Sequence, residues 1–213
     1  MSAIMKNDME IEIIVKDILD VEKYFSNIDA VIFDLDDTLY SEKQYIRSGY
    51  KKIAEYFNIP DMEEEMWNCF ENGGKAIDEV LKAHGLISKK EQALYIYRFQ
   101  EPKISLYSGV GELLIRIKKK KKIGIITDGR PEGQRAKLKA LNINVDKVII
   151  TDELGGAEYR KPNPKAFEIM QKELNTEFEK MVYIGDNIKK DFIAPQKLGM
   201  KYIWFKNPDG LYV

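Results

Sequence analysis

Five short apolar runs recur along the sequence, and helical patterns lie between the later ones. The runs are nearly continuous and rich in β-branched and aromatic residues, which is typical of strands covered on both faces. Strand–helix alternation of this kind predicts an α/β protein with a parallel, doubly wound sheet. The runs span 30–34, 122–128, 147–152, 181–186 and 201–205. The helical patterns span 109–120, 131–141, 163–174 and 187–199.

A block without any strand pattern interrupts the alternation after the first run. Residues 44–104 contain only helical stretches, punctuated by glycine and proline. We predict that they form a small helical subdomain inserted into the core. The α/β core then comprises residues 29–43 and 105–213.

The N-terminal residues 1–28 stand apart from this core. Residues 9–15 have the pattern of a strand, and residues 17–27 have that of a helix. Three roles stay open for this extension: an additional edge strand, an oligomer contact, or a disordered segment.

Charge and composition exclude several classes of protein. The formal net charge is −1, so the chain lacks the basic field that nucleic-acid-binding proteins use. One cysteine, Cys69, cannot form an internal disulfide, which fits a reducing compartment. No apolar run reaches membrane-spanning length, and acids interrupt the N-terminus where a signal peptide would be apolar. We therefore predict a cytoplasmic protein that binds neither nucleic acid nor membranes.

Acidic residues gather where the predicted strands end. Asp34 and Asp36 follow the first strand, Asp186 follows the fourth, and Asp191 lies about one turn further on. In open parallel sheets, ligands bind outside the carboxyl ends of the strands, so these side chains are expected to converge. Such a group repels itself unless a cation is present, and a few hard oxygen ligands favour Mg²⁺. The sequence therefore predicts a magnesium site.

Four motifs at or just after these strand ends occur in a recognisable order. They are Asp34-x-Asp36-x-Thr38, Thr127-Asp128-Gly129, Lys161 within "RKPNP", and "GDNIKKD" with Asp186 and Asp191. Together they resemble the four ordered motifs of the haloacid dehalogenase superfamily, over roughly residues 30 to 206. The resemblance implies a Rossmann-like core, and the inserted helices match the helical cap of that family.

The resemblance also implies catalytic roles for the first motif. Asp34 corresponds to the nucleophile that attacks phosphorus and forms an aspartyl-phosphate. Asp36 can protonate the leaving-group oxygen and then take a proton from water. Members of the family that cleave carbon–halogen bonds differ here, since a halide needs no proton, so Asp36 favours phosphoryl transfer.

The other motifs are implied to hold the phosphate and the metal ion. Thr127, with the backbone amides around Asp128 and Gly129, resembles the phosphate-holding second motif, and Arg130 is a candidate for a second anionic group. Lys161 supplies positive charge beside the transferring group. The predicted metal ligands are Asp34, Asp36 (through its backbone carbonyl), Asp186 and Asp191. The predicted catalytic residues are Asp34, Asp36, Thr127 and Lys161. Whether Asp191 binds the metal directly or orients Lys161 stays open.

We therefore predict a Mg²⁺-dependent phosphatase that acts on a small phosphorylated metabolite, as a monomer or homodimer. Two alternatives remain: a phosphomutase of the same superfamily, and a weakly catalytic partner-binding protein. Further candidate substrate contacts are Tyr40, Tyr45, Arg47, Tyr107 and Arg130.

Overall fold

A computed structural model describes residues 13–211. Within this range, six parallel strands form one sheet in the order β1-β6-β5-β2-β3-β4. The predicted fold class is confirmed, and five of the strands coincide with the five apolar runs. The strands are β1 (Ile14–Val15), β2 (Ala30–Phe33), β3 (Lys122–Thr127), β4 (Lys147–Ile150), β5 (Met181–Gly185) and β6 (Lys201–Phe205).

Helices of the described residues surround this sheet, and five of them, α1 to α5, follow one another between β2 and β3. The first four, α1 to α4, are here called the helical insert, and they pack around an apolar cluster of their own that includes Ile53, Met66 and Leu81. No helix in residues 13–211 is long and apolar enough to cross a membrane. The helices are α1 (Glu42–Phe57), α2 (Met62–Glu71), α3 (Ala76–Ala83), α4 (Lys90–Arg98), α5 (Val110–Lys118), α6 (Pro131–Leu141), α7 (Lys165–Leu174) and α8 (Ile193–Lys197).

Alternate residues of the central strand β2 face opposite sides of the sheet. Val31 and Phe33 belong to one apolar cluster, to which α5 contributes. Ala30 and Ile32 belong to a second cluster, to which α7 contributes. All four residues are fully buried, which explains why the run is continuously apolar rather than alternating.

The two connections between the core and the helical insert are tied together by the C-terminal segment. The Asn207 side-chain amide donates to the Asp37 carbonyl and to the Tyr107 hydroxyl, each at 2.7 Å. The Asp37 carboxylate accepts the N–H groups of Glu42 and Leu211, each at 2.8 Å. Asp37 thus caps the start of α1 and anchors Leu211.

The described part of the N-terminal extension adds an edge strand to the sheet. β1 pairs in parallel with β6, with Val15 opposite Phe205. Residues 9–12, which belong to the same strand pattern in the sequence, lie outside the described residues. Of the three roles left open by the sequence, an edge strand is therefore the one observed for Ile14–Val15.

A 3₁₀ helix (Ile18–Tyr24) follows β1, where the sequence pattern indicates a helix over 17–27. The Asp17 carboxylate caps it by accepting the N–H of Leu19 at 2.9 Å. Its buried residues, Ile18 and Val21, are three apart, and three residues per turn places both on the core side.

The helical pattern over 187–199 produces a much shorter helix than predicted, since α8 begins only at Ile193. The Asp191 carboxylate accepts the N–H of Asn187 at 2.9 Å, and the Asn187 side chain accepts the N–H of Lys189 at 3.0 Å. Such side-chain bonds to the backbone compete with helical hydrogen bonds. The resulting turn holds Asp191 beside the end of β5.

Candidate active site

The candidate site lies at the carboxyl end of the sheet, where β2 runs between β5 and β3. Asp34 follows β2 directly, and its N–H donates to the carbonyl of Ile184 in β5 at 2.8 Å. One oxygen of its carboxylate accepts the N–H of Leu35 at 2.8 Å. Strand pairing and this local bond together fix the orientation of the Asp34 carboxylate.

Three buried carboxylates meet at this point. Asp34, Asp186 and Asp191 each offer an oxygen, and these oxygens lie within 4.8 Å of one another. Burial, offset in part by Lys161 and reinforced by Asp191, raises the pKa of Asp34 to about 7. Burial and the charges of Asp34 and Asp191 raise the pKa of Asp186 to about 8. Negative charge is thus in excess here.

Lys161 is the cation buried among these acids. Its Nζ lies 2.9 Å from Asp34 Oδ1 and 2.8 Å from Asp191 Oδ1, and it donates to the Tyr183 hydroxyl at 2.8 Å. Burial opposes a charge on Lys161, but Asp191 and Asp34 outweigh it and raise the lysine pKa well above its usual range. Lys161 is therefore a fixed positive charge that touches the predicted nucleophile. Asp191 both orients it and belongs to the acidic trio.

The chemistry of this trio fits a divalent cation. When all three carboxylates are ionised, one ammonium leaves two negative charges uncompensated in a buried place, and such charges require a partner. Carboxylate oxygens are the ligands that Mg²⁺ prefers, with water and phosphate oxygens filling the rest of its shell. The Asp36 side chain is not part of the trio, and its role as a metal ligand through its backbone carbonyl stays a prediction.

The Asp36 carboxylate is held by three donors. Lys137 Nζ contacts its Oδ1 at 2.7 Å, the Tyr40 hydroxyl donates to the same oxygen, and Gln134 donates to Oδ2 at 2.8 Å. Burial opposes ionisation of Asp36, but Lys137 and the other donors outweigh it, so its pKa lies below its ordinary value. In the substrate-free protein Asp36 is therefore a carboxylate with a fixed position.

The second motif lies one strand away from Asp34. Thr127 is the last residue of β3, is fully buried, and accepts a hydrogen bond from Gln134. Gly129 has a φ of +134°, a conformation that side chains other than glycine rarely adopt. Arg130 is the exposed N-cap residue of α6 and does not line the cavity described below. Its role as a substrate contact stays a prediction.

Asp128 has contacts that hold neighbouring loops in place. Its carboxylate accepts the Thr151 hydroxyl and the Lys161 N–H, each at 3.0 Å, and Lys190 Nζ at 2.9 Å. Burial opposes its charge, but Lys161 and Lys190 outweigh burial and lower the pKa of Asp128. This acid is therefore already neutralised by the protein itself, unlike Asp186.

A cavity of about 250 Å³ opens between the acids and the helical insert. Four residues that line it were not predicted as site residues: Glu42, Arg160, Asn187 and Lys190. Arg160 and Lys190 immediately precede Lys161 and Asp191, so their place in the motif loops was a usable signal. Glu42 is the first residue of α1, and no sequence pattern predicts that it lines the site. The lining residues are Asp34, Asp36, Glu42, Asp128, Arg160, Asp186, Asn187 and Lys190.

Four other candidate contacts do not line this cavity: Tyr40, Tyr45, Arg47 and Tyr107. Tyr40 reaches the site through its bond to Asp36. Arg47 pairs instead with Glu63 of the helical insert at 3.2 Å. Their role as direct substrate contacts stays a prediction.

The fold and the site together define a class: a parallel α/β core whose strand-end acids surround a buried lysine beneath a helical insert. Residues 31–205 match the family model described as haloacid dehalogenase-like hydrolase, and the chain belongs to this family. The resemblance seen in the motifs is thereby confirmed.

Relatives with curated functions match most of the chain. A glyceraldehyde 3-phosphate phosphatase from Methanocaldococcus jannaschii is 31% identical over 192 residues, covering 81% of this chain and 82% of the relative. A protein of the same name from Pyrococcus furiosus is 27% identical over 201 residues, covering 84% and 81%. Among solved structures, the HAD-hydrolase YfnB from Bacillus subtilis, bound to magnesium, superposes with a TM-score of 0.63 at 19% identity, covering 84% of this chain and 87% of that one.

Proposed function

We propose that this chain is a Mg²⁺-dependent phosphatase that hydrolyses a small sugar phosphate through an aspartyl-phosphate on Asp34. One observation carries the proposal: the Asp34 carboxylate lies 2.9 Å from Lys161 and shares an acidic trio with Asp186 and Asp191. A nucleophilic carboxylate, a fixed cation and a metal-binding charge surplus are the three components that phosphoryl transfer to a side chain requires.

In the first half-reaction, an Asp34 oxygen attacks phosphorus while the bond from phosphorus to the leaving oxygen breaks. The charge of an arriving phosphate raises the pKa of a nearby carboxylate, so Asp36 takes up a proton as the substrate binds. Asp36 then gives this proton to the leaving oxygen, and the product departs as an alcohol. The Thr127 hydroxyl, the amides around Gly129 and Lys161 hold the phosphate oxygens.

In the second half-reaction, water attacks phosphorus and the bond from phosphorus to Asp34 breaks. The Asp36 carboxylate, left without its proton by the first step, accepts one from the attacking water. Inorganic phosphate is released, and Asp34 returns to its starting form. Held by Asp34, Asp186 and Asp191, a magnesium ion would supply the positive charge that lets an anionic nucleophile approach an anionic phosphate.

The cavity and the relatives both support a substrate of about the size of a triose phosphate. At about 250 Å³, the cavity lies below the size usual for drug-sized ligands. The relatives from M. jannaschii and P. furiosus are glyceraldehyde 3-phosphate phosphatases. Glu42 also fits a sugar, because burial and Asp36 raise its pKa to about 8, and a protonated carboxyl group can both donate to and accept from hydroxyl groups.

The helical insert is proposed to act as a lid over this cavity. Glu42, at the start of the insert, lines the cavity together with core residues such as Asp34 and Asp186. Closure would exclude bulk water from the reaction, and opening would admit substrate. The two connections near Asp37 and Tyr107, which Asn207 joins, are the positions where such a movement would occur.

Phosphate release tests the proposal directly. The parent is expected to release phosphate from glyceraldehyde 3-phosphate with Mg²⁺ and not with a chelator, and Asp34→Asn is expected to release none. The control is Asp78→Asn, which removes an acid paired with Lys90 on the insert and should retain activity.

Two other outcomes would favour the alternatives. An isomerised sugar phosphate as product, without free phosphate, would indicate a phosphomutase. No turnover on any phosphomonoester, with a binding partner retained by Asp34→Asn, would indicate a partner-binding protein.

A further inference from the structure

Asp36 is held from outside the four motifs, by helix α6. Gln134 donates to Asp36 Oδ2 at 2.8 Å, and Lys137 contacts Oδ1 at 2.7 Å. Both side chains are buried, although Gln134 and Lys137 are polar, and Leu141 of the same helix belongs to the apolar core cluster. Residues three apart lie on the same helix face, so a single turn of α6 presents both donors to one carboxylate.

Gln134 also connects Asp36 to the second motif. Its amide nitrogen donates to the Thr127 hydroxyl as well as to Asp36. A hydroxyl that accepts one hydrogen bond keeps its own proton free to donate. Gln134 therefore leaves the Thr127 proton available for a phosphate oxygen and fixes the distance between that hydroxyl and Asp36.

Lys137 is held in turn by the helical insert. Its ammonium lies 4.3 Å from the centre of the Tyr45 ring in α1, within the range of a cation–π contact. A buried ion pair is weak evidence for a stabilising role, because the cost of desolvation offsets much of the attraction. A contribution to the free energy of unfolding therefore does not explain why Lys137 lies between the insert and Asp36.

We infer that Gln134 and Lys137 are positioning residues that hold Asp36 for proton transfer to the leaving group. The inference rests on the proposed phosphatase function. The donors bind the carboxylate form of Asp36, which arises when its proton passes to the leaving oxygen as the bond from that oxygen to phosphorus breaks. The same form then takes the proton of the water that attacks the aspartyl-phosphate.

The dependence of the rate on the leaving group tests this inference. Glyceraldehyde 3-phosphate loses an alkoxide that needs a proton, whereas acetyl phosphate loses acetate, which does not. The measurement is the single-turnover rate of leaving-group release for each substrate. Because general acids typically contribute 10²–10⁴-fold, Lys137→Met is expected to slow release from glyceraldehyde 3-phosphate about 10–100-fold and release from acetyl phosphate less than about threefold.

Three further variants keep the test independent of folding and of stability. Gln134→Met removes only a neutral donor and should slow both substrates, with the larger loss for glyceraldehyde 3-phosphate. Lys137→Arg retains the charge and should recover most of the rate. Lys139→Met, on the exposed side of the same helix, should leave both rates unchanged.

A double-variant comparison completes the design. In an Asp36→Asn background, Gln134→Met and Lys137→Met should no longer change the ratio of the two rates, because the group they position is absent. Equal losses on both substrates in the single variants, or an unchanged ratio, would overturn the inference. Failure of the parent to release a leaving group from either substrate would instead overturn the proposed function.

Discussion

Replacement of Asp186 by asparagine removes one charge from the acidic trio and keeps the size of the side chain. In the metal-free protein, burial and two neighbouring acids raise the Asp186 pKa from 3.8 to about 8. An acid whose pKa is raised by folding contributes most to stability below its unfolded pKa and loses that contribution as the pH rises to the folded pKa. Between pH 4 and 8 the metal-free parent should therefore lose stability, and the variant should lose less.

The expected loss of stability at pH 8 follows from the shift in the Asp186 pKa. At about 1.4 kcal/mol per pKa unit, the shift sets an upper limit of roughly 5 kcal/mol at pH 8. Relaxation of the site and entry of water reduce the cost of the buried charge. We therefore expect Asp186→Asn to raise the free energy of unfolding of the metal-free protein by about 2 kcal/mol at pH 8. For a chain of this length that corresponds to a rise of roughly 4–8 °C in the melting temperature.

Thermal unfolding in a chelator and in Mg²⁺ measures both halves of this prediction. In the chelator at pH 8, Asp186→Asn should melt above the parent. Added Mg²⁺ should raise the melting temperature of the parent and leave that of the variant almost unchanged.

Asp128→Asn is the matched control. Its pKa is lowered in the folded protein, so its contribution to stability is present at neutral pH and is lost as the pH falls. Loss of this acid should therefore destabilise the protein at pH 8. A metal-free Asp186→Asn protein that melts below the parent at pH 8, or that responds to Mg²⁺ as the parent does, would refute the reasoning about the trio.

Three other substitutions test the remaining charges. Asp34→Asn should abolish phosphate release from every substrate with an unchanged or raised melting temperature, since burial already disfavours its charge; turnover near the parental rate would contradict its role. Lys161→Met should lower the free energy of unfolding, measured in urea, by about 3–5 kcal/mol, because Asp34 and Asp191 lose their shared cation; a loss under about 1 kcal/mol would contradict this. Lys43→Ala, which removes an exposed pair with Asp209, should change that free energy by less than about 1 kcal/mol, and a larger loss would show that the pair braces the insert.

The strands and the acids at their ends were predictable because both depend on local patterns. A buried parallel strand requires an apolar run, and its carboxyl end positions the next residue, so Asp34 and Asp186 could be brought together without knowledge of the strand order. The helix expected over 187–199 was too long because Asp191 bonds to the backbone of Asn187, and this competition cannot be seen in a helical pattern.

Gln134 and Lys137 could not be predicted in the same way. Polar residues in a helix normally face solvent, whereas these two are buried and bond to Asp36, a contact that depends on how α6 lies in the folded protein. One signal does exist in the sequence. Gln134, Lys137 and Leu141 are spaced three and four apart, so the two polar residues continue the buried stripe that Leu141 belongs to. Glu42 carries no such signal, because its place depends on how the insert sits over the core.

The central position of β2 has a consequence for how the protein is made on the ribosome. Ala30 pairs with Lys122 on one side and with Met181 on the other, so β2, which Asp34 follows, lacks one of its two neighbouring strands until Met181–Gly185 has been synthesised. The helical insert has its own apolar cluster and can begin to fold earlier. We expect nascent chains stalled before Met181 to resist proteolysis across the insert while Ala30–Phe33 is still cleaved.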